Sequence, residues 1–233
     1  RTVSIIDCTE LNRLDVLAGV ENLHISGGEE LAELTLPEGI KNITIERCND
    51  LKEIEVLNGA EAVTISRLEE LEKLRLTEGI KTLVIEECNK IETLSVPKTV
   101  ETVTVDRNEN MTGLIFPENI KNITITNCDK IEKLSIPNGA ENISITSTDM
   151  LSELSLPEKV KTITIDNCHA MESLSVLTGT EEVTATHNSC LAELNLAEGV
   201  KTVYVNECDV MQKLVIPAGA QGVTVANCDE LAE

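Results

Sequence analysis

Eight cysteines and three histidines are the residues whose chemistry could include metal binding, disulfide formation or nucleophilic catalysis. The histidines are His24, His169 and His187. They fall at three different positions of the repeat described below. We therefore expect them neither to share a metal ion nor to form a nucleophile–base pair.

The cysteines follow a regular spacing. Six of them recur every 40 residues, namely Cys8, Cys48, Cys88, Cys128, Cys168 and Cys208. If 20-residue segments stack as coils about 4.8 Å apart, these thiols are ~9.6 Å apart. That distance is too long for a disulfide and prevents convergence on one ion, so we interpret them as small buried thiols. Cys208 and Cys228 are one coil apart, about 5 Å, which a disulfide can span. We expect Cys190 to be the most exposed thiol.

Motifs for other chemistries are absent from the sequence. It has no phosphate-binding glycine loop, no HExxH helix motif and no glycine–aspartate calcium repeat. Every repeat has the same length, so the sequence contains no inserted loop that could form the side of an active-site cleft. We predict that the chain is not an enzyme, with no catalytic residues, no metal and no cofactor.

The whole chain is one internal repeat of 20 residues without a gap. Counting positions within each coil, positions 3, 5, 11, 14, 16 and 20 are almost always apolar. The 3/5 and 14/16 pairs alternate with polar residues, which is strand periodicity, and glycine or proline follows the second pair. A single coil cannot bury its apolar face, but stacked coils can.

The sequence therefore predicts an all-β, right-handed parallel β-solenoid with two short strands per coil and little or no helix. It forms one array over residues 1–233, with about twelve coils, the last one partial. The coils start at residues 1, 21, 41, 61, 81, 101, 121, 141, 161, 181, 201 and 221.

Charge and composition restrict the classes of partner that the chain can bind. The net charge is −22 and the chain has one Tyr, one Phe and no Trp. Nucleic acid is disfavoured because phosphate binding needs a basic surface, and no apolar run is long enough to insert in a membrane. The chain opens at Arg1, inside a repeat and without a signal peptide. We expect a fragment of a longer chain, with uncapped ends that self-associate end to end.

Two segments resemble a known family. Ile40-x-x-Ile43-x-Ile45-x-x-Cys48-x-x-Leu51 resembles the cysteine form of the leucine-rich repeat. The stretch from Leu134 to Ala140, LSIPNGA, is similar to part of the Treponema-type, BspA-like repeats of bacterial surface proteins. The resemblance implies a solenoid of leucine-rich-repeat type that is secreted or displayed on a bacterial surface, is not an enzyme, and adheres to a protein partner or host surface.

In leucine-rich repeats the outward positions of the first strand form the recognition face, which here are positions 2, 4 and 6. The candidate binding residues occupy position 4: His24, Thr44, Thr64, Thr104, Thr124, Thr164, Thr184 and Tyr204. Threonine is also simply favourable on an exposed strand, whereas an exposed tyrosine is a common binding anchor. Arg47, Arg67 and Arg107 share position 7 and predict a local basic patch.

Three functions stay open at this point. The first is a surface adhesin or protein-recognition array. The second is a structural spacer that displays another domain, which the uniform coils favour. The third is an ice-binding solenoid, because threonines alternate at Thr124 and Thr126, although acids such as Glu46 and Asp106 interrupt the array.

Overall fold

The computed structural model describes residues 1–231, and this part of the chain consists of short strands and tight turns without a helix. Each coil contributes a first strand at positions 2–6, and each complete coil also has a second strand beginning at position 13. The all-β, parallel β-solenoid with a 20-residue period is thereby confirmed. The right-handed winding stays a prediction from the usual handedness of parallel crossovers.

The chain divides into two compact units, Arg1–Pro117 (unit 1) and Glu118–Glu233 (unit 2). In unit 1 the first strands are β1 Thr2–Ile6, β3 Asn22–Ser26, β5 Asn42–Glu46, β7 Ala62–Ser66, β9 Thr82–Glu86 and β11 Thr102–Asp106. The second strands are β2 Arg13–Asp15, β4 Glu33–Thr35, β6 Glu53–Val56, β8 Lys73–Leu76, β10 Thr93–Ser95 and β12 Gly113–Ile115. Unit 1 thus contains six first and six second strands.

Unit 2 repeats this arrangement. Its first strands are β13 Asn122–Thr126, β15 Asn142–Thr146, β17 Thr162–Asp166, β19 Glu182–Thr186, β21 Thr202–Asn206 and β23 Gly222–Ala226. Its second strands are β14 Lys133–Ser135, β16 Glu153–Ser155, β18 Ser173–Val176, β20 Glu193–Leu196 and β22 Lys213–Val215. In both units successive first strands pair in parallel with an offset of 20 residues, as in Thr2↔Asn22 and Asn122↔Asn142. This register places equal repeat positions side by side.

The register explains the core. Positions 3 and 5 are buried from the second coil to the eleventh, and Ile43 and Ile45 are 3% and 0% exposed. Positions 11, 14, 16 and 20 complete a narrow interior that is mostly Ile, Leu and Val, with Met at position 11 of three coils. Each large apolar side chain that is fully buried contributes about 2 kcal/mol. The sequence periodicity predicted this interior. Phe116, at position 16, contributes a partly buried aromatic ring, and stacked aliphatic side chains fill most of the remaining space.

Proline at position 17 accompanies the shorter second strands, except in the first coil, where β2 has three residues although position 17 is Leu17. The four-residue strands β6, β8, β18 and β20 all have a residue other than proline at position 17. In one of these coils the Ala197 N–H donates to the Val176 carbonyl at 3.0 Å. Proline has no N–H to extend the ladder, so coils such as those with Pro97 and Pro137 have three-residue strands.

The ends of the chain are less buried than its interior. Cys8 is exposed, Leu17 is 77% exposed, and Val223 in β23 is 40% exposed. End-to-end self-association through these surfaces stays a prediction, which sedimentation velocity at rising protein concentration tests.

Candidate recognition surface

The outward side chains of the first strands form rows along each unit. In unit 1 the position-4 row pairs His24 with Thr44, Thr44 with Thr64, and Thr104 with Val84. In unit 2 it runs Thr124, Ser144, Thr164, Thr184, Tyr204 and Thr224. The structure therefore brings the candidate residues of each unit into one row. We call these rows, with positions 2 and 6 beside them, the strand face.

The position-4 threonines from Thr44 to Thr184 are partly exposed, because side chains of the adjacent strands flank each of them at about 4.8 Å. Tyr204 is more prominent, with 42% of its surface exposed, and lies between Thr184 and Thr224. An aromatic ring standing above a row of small side chains is the geometry of a binding anchor. Whether these residues bind a partner stays a prediction.

A shallow depression of about 310 Å³ lies on the strand face of unit 1. It is lined by Thr2, Asn22, Leu23, His24, Asn42, Thr44 and Glu46. His24 replaces the usual threonine here, so the depression has an imidazole, two amides and a carboxylate within one small area. Such groups can donate and accept hydrogen bonds to a polar partner.

The position-2 row has a feature that the sequence reasoning missed. The Asn42 amide Nδ2 donates to Oδ1 of Asn22 at 2.6 Å, and Asn142 donates likewise to Asn122 at 2.7 Å. Thr162 Oγ1 then donates to Oδ1 of Asn142 at 2.9 Å. Asparagine at the same position of adjacent coils was the available signal, because stacked amides form such ladders. The ladders fix the orientation of the outward amides.

The first strand ends in a turn whose backbone is strained. Position 7 has positive φ in both units, mostly with residues other than glycine: Asp7, Arg47, Arg67, Glu87, Arg107, Asn127, Ser147, Asn167, His187, Glu207 and Asn227. Each non-glycine residue in this conformation costs roughly 1–2 kcal/mol. Gly27 and the asparagines at this position were the sequence signal for it. The turn directs the position-7 side chains outward beside position 9.

Three arginines meet in a groove at this turn in unit 1. The turn groove has a volume of about 520 Å³ and is lined by Glu29, Arg47, Asn49, Arg67, Glu69, Glu87, Asn89, Arg107 and Glu109. Arg67 Nε lies 3.2 Å and Arg107 Nε 2.9 Å from the two carboxylate oxygens of Glu87. The arginines of the predicted basic patch are thus together, but four glutamates make the groove one of mixed charge.

The cysteine column lies inside the solenoid. Cys48, Cys88, Cys128, Cys168 and Cys208 are buried, whereas Cys8 and Cys190 are exposed and Cys228 is intermediate. Burial raises the pKa of Cys88, Cys168 and Cys208 to about 11. Cys208 and Cys228 are both free thiols in the structure, and a disulfide between them stays a prediction.

These thiols should differ in reactivity by environment. With iodoacetamide near pH 8 we expect rapid labelling of Cys8 and Cys190 and protection of the five buried cysteines, because alkylation needs an accessible thiolate. Peptide mass spectrometry before and after denaturation in urea measures this. Labelling of Cys88 at the rate of Cys190 in the native protein would contradict the buried column.

A histidine at the same turn of unit 2 lies between two carboxylates. His187 Nδ1 is 2.7 Å from Oδ1 of Asp166, and its Nε2 is 3.4 Å from Glu207. The hydrogen bond to Asp166 is the largest cause and raises the pKa of His187. Desolvation opposes it, and the charges of Glu207 and Asp166 add smaller increases. The protonated form is therefore favoured by folding.

This arrangement predicts a pH-dependent contribution to stability. A histidine pKa raised by folding stabilises the protein below its unfolded value near 6.5, and the effect is lost as pH rises through the folded pKa. His187→Gln should therefore lower the unfolding midpoint more at about pH 6 than at about pH 8.5. Urea denaturation at both pH values measures this, with His24→Gln as control. An equal loss at both would contradict it.

His169 makes a contact that the sequence analysis had excluded. Its Nδ1 lies 3.0 Å from Oγ of Ser189, because both residues occupy position 9 of adjacent coils. The prediction that no histidine would form a nucleophile–base pair was wrong as far as distance is concerned, because this serine is within hydrogen-bonding range. The pair is exposed, as expected of a hydrogen bond on the surface of the stack.

Within residues 1–231, no group of three or more His, Cys, Asp or Glu side chains is arranged to hold a metal ion. In the same part of the chain, no helix has the length and apolar character needed to cross a membrane.

Neither a protein-family model nor a curated protein matches the chain. The solved structures that are similar to it include two leucine-rich repeat proteins. One is a leucine-rich repeat protein from Bacteroides ovatus, 13% identical, with a TM-score of 0.39 over 93% of this chain and 76% of that one. The other is a leucine-rich repeat protein from Eubacterium ventriosum, 12% identical, with a TM-score of 0.39 over 97% and 79%. The finer resemblance to Treponema-type, BspA-like repeats stays a prediction.

Proposed function

We propose that this chain is a non-enzymatic protein-recognition array, an adhesin that is secreted or displayed on a bacterial surface and binds its partner through the strand face. The observation that supports this most is the register of the position-4 rows in each unit. Threonine or serine recurs at the strand spacing of about 4.8 Å in most coils, so an extended partner meets similar hydroxyl side chains along each row, interrupted at His24, Val84 and Tyr204. Solenoids use such regular faces for protein partners.

Composition supports the same proposal. The net charge of −22 disfavours nucleic acid, and the strand face presents small polar side chains with Tyr204 as an anchor. Threonine and asparagine lose little side-chain entropy when they are fixed by ladder hydrogen bonds, as Asn22 and Asn42 are. The face is thus organised before a partner arrives.

The test uses three substitutions in unit 2, Thr124→Lys, Thr164→Lys and Thr184→Lys, in one variant. Lysine at these partly exposed positions is tolerated by the fold and adds charge and bulk to the strand face. The matched control is Ser135→Lys, Ser155→Lys and Ser175→Lys, because these serines point outward from the second strands of the same unit. Both variants change the charge equally.

The measurement is capture of purified host matrix and cell-surface proteins on the immobilised chain. We expect the wild type and the control to retain a partner that the strand-face variant loses by at least about tenfold, the effect of a few buried interface residues. Equal capture by all three proteins would contradict the proposal.

The alternative is a structural spacer, which the constant 20-residue coil without insertion favours. A spacer predicts that neither the wild type nor either variant captures a partner above the level of an unrelated acidic protein. An ice-binding array is less well supported, because Val84 and Tyr204 interrupt the threonine rows. Thermal hysteresis at high protein concentration would reveal it.

A further inference from the structure

The turn groove of unit 1 is bordered by two rows of unlike charge. The position-7 row has Arg47, Arg67, Glu87 and Arg107, and the position-9 row alternates Glu29, Asn49, Glu69, Asn89 and Glu109. The position-9 row is in register, since the Asp50 N–H donates to the Glu29 carbonyl and the Glu70 N–H to the Asn49 carbonyl, both at 3.2 Å. The groove therefore runs along the stack over five coils.

Several groups in this groove have unused hydrogen-bonding capacity. Arg47 donates to Oγ of Ser26 at 2.9 Å but has no acidic partner among residues 1–231. The next coil towards the N-terminus has Gly27 at position 7, so no side chain covers that flank of Arg47. The Asn49 side chain likewise makes no hydrogen bond within the described residues, whereas Oδ1 of Asn89, two coils further on, accepts from the Glu109 N–H at 2.9 Å. These groups face a ligand-sized space of about 520 Å³.

The spacing of the carboxylates selects a backbone conformation. Glu29, Glu69 and Glu109 lie on alternate coils, so neighbours among them are about 9.6 Å apart. A polyproline-II chain rises ~3.1 Å per residue with three residues per turn, which places every third side chain on one face ~9.3 Å apart. A β-strand repeats its face at about 6.8 Å. Residues i+4 and i+7 on one face of an α-helix are about 6.0 and 10.5 Å from residue i, so polyproline II is the closest match to ~9.6 Å.

We propose that the turn groove binds a polyproline-II peptide segment with a basic side chain at every third residue and acidic side chains beside them. The basic side chains pair with Glu29, Glu69 and Glu109, and an acidic side chain pairs with Arg47. The backbone carbonyls of such a segment have no internal hydrogen bonds, so the Asn49 amide donates to one of them. This site lies outside the strand face, and the two proposals fail independently.

The experiment is an isothermal titration of the full chain with a blocked peptide of about four Pro-Lys-Glu triplets. This probe has no net charge, so general attraction to an acidic protein does not drive its binding. A peptide of the same composition with clustered lysines is the spacing control. We expect a dissociation constant of roughly 0.1–1 mM for the triplet peptide, and at least about tenfold weaker binding of the scrambled one.

Two variants locate the site. The first variant combines Glu29→Gln, Glu69→Gln and Glu109→Gln. It should bind the triplet peptide at least about tenfold more weakly, because three exposed ion pairs are lost. The matched control is Glu55→Gln, Glu61→Gln and Glu78→Gln, three exposed carboxylates elsewhere in unit 1, which should leave the affinity within about twofold. Equal binding of both peptides, equal loss in both variants, or no binding of the triplet peptide would overturn the proposal.

Discussion

Asn108→Leu is expected to lower the free energy of unfolding by about 3 kcal/mol or more. Asn108 is fully buried at position 8, and its side chain joins two coils of unit 1. Its Oδ1 accepts from the Cys88 N–H at 2.9 Å, and its Nδ2 donates to the carbonyls of Ile85 and Asp106 at 2.9 and 2.8 Å. Leucine removes all three hydrogen bonds and leaves buried backbone groups unsatisfied.

Steric overlap of the new leucine side chain does not account for the expected loss of stability. Leu68 occupies the same repeat position two coils earlier and is itself fully buried, so the interior accommodates leucine there. The matched control is Thr148→Val, because Thr148 is buried at position 8 of unit 2 and donates one hydrogen bond, to the Thr146 carbonyl. Valine should cost about 1 kcal/mol.

Urea denaturation followed by circular dichroism measures both changes. A second variant, Asn108→Asp, keeps the shape and the acceptor but removes both donors, and it should also be strongly destabilised near pH 7 because it buries a carboxylate. If Asn108→Leu were no more destabilising than Thr148→Val, the bridging amide would not be a stabilising element.

Much of the fold follows from the sequence because its signal is local and repeated. Alternation at positions 3 and 5 predicts inward-facing strands, and Ile43 and Ile45 are buried accordingly. The 40-residue spacing of the cysteines predicts separate buried thiols, as for Cys88. Position 1 alternates lysine and glutamate in most coils, and the register places Lys201 Nζ 2.9 Å from the Glu181 carboxylate. Each of these follows from which residues a regular stack places side by side.

Other features depend on geometry that residue type does not reveal. From the sequence, Asn108 is only a polar residue at position 8, where other coils have cysteine. The register of the strands shows that it bonds to Cys88 and Ile85. The arginines at position 7 predict a basic patch, but the patch is neutralised in part because Glu87 lies between Arg67 and Arg107. The contact of His169 with Ser189 needed comparison of the same position in neighbouring coils. Candidate sites on a solenoid are therefore found by comparing the same repeat position in successive coils.

The second large effect is expected for Gly59→Ala, which should destabilise unit 1 well beyond the cost of its unusual backbone. Gly59 has a φ of +111°, and a Cβ built there would lie 2.7 Å from Cα and 2.9 Å from the nitrogen of Gly39. These are backbone atoms of the preceding coil, so relief requires the two turns to separate. We expect a loss of about 3–4 kcal/mol, the sum of backbone strain and overpacking.

Gly39→Ala separates the two causes, because Gly39 has the same repeat position and a φ of +88°, but a Cβ there has no neighbour within 4 Å. It should cost only the conformational strain, about 1–2 kcal/mol. Urea denaturation of both variants gives the difference directly. A larger loss for Gly59→Ala means that glycine at position 19 permits the coils to approach closely. Equal losses would mean that glycine is needed there only for its backbone conformation, and that the turns yield to a methyl group.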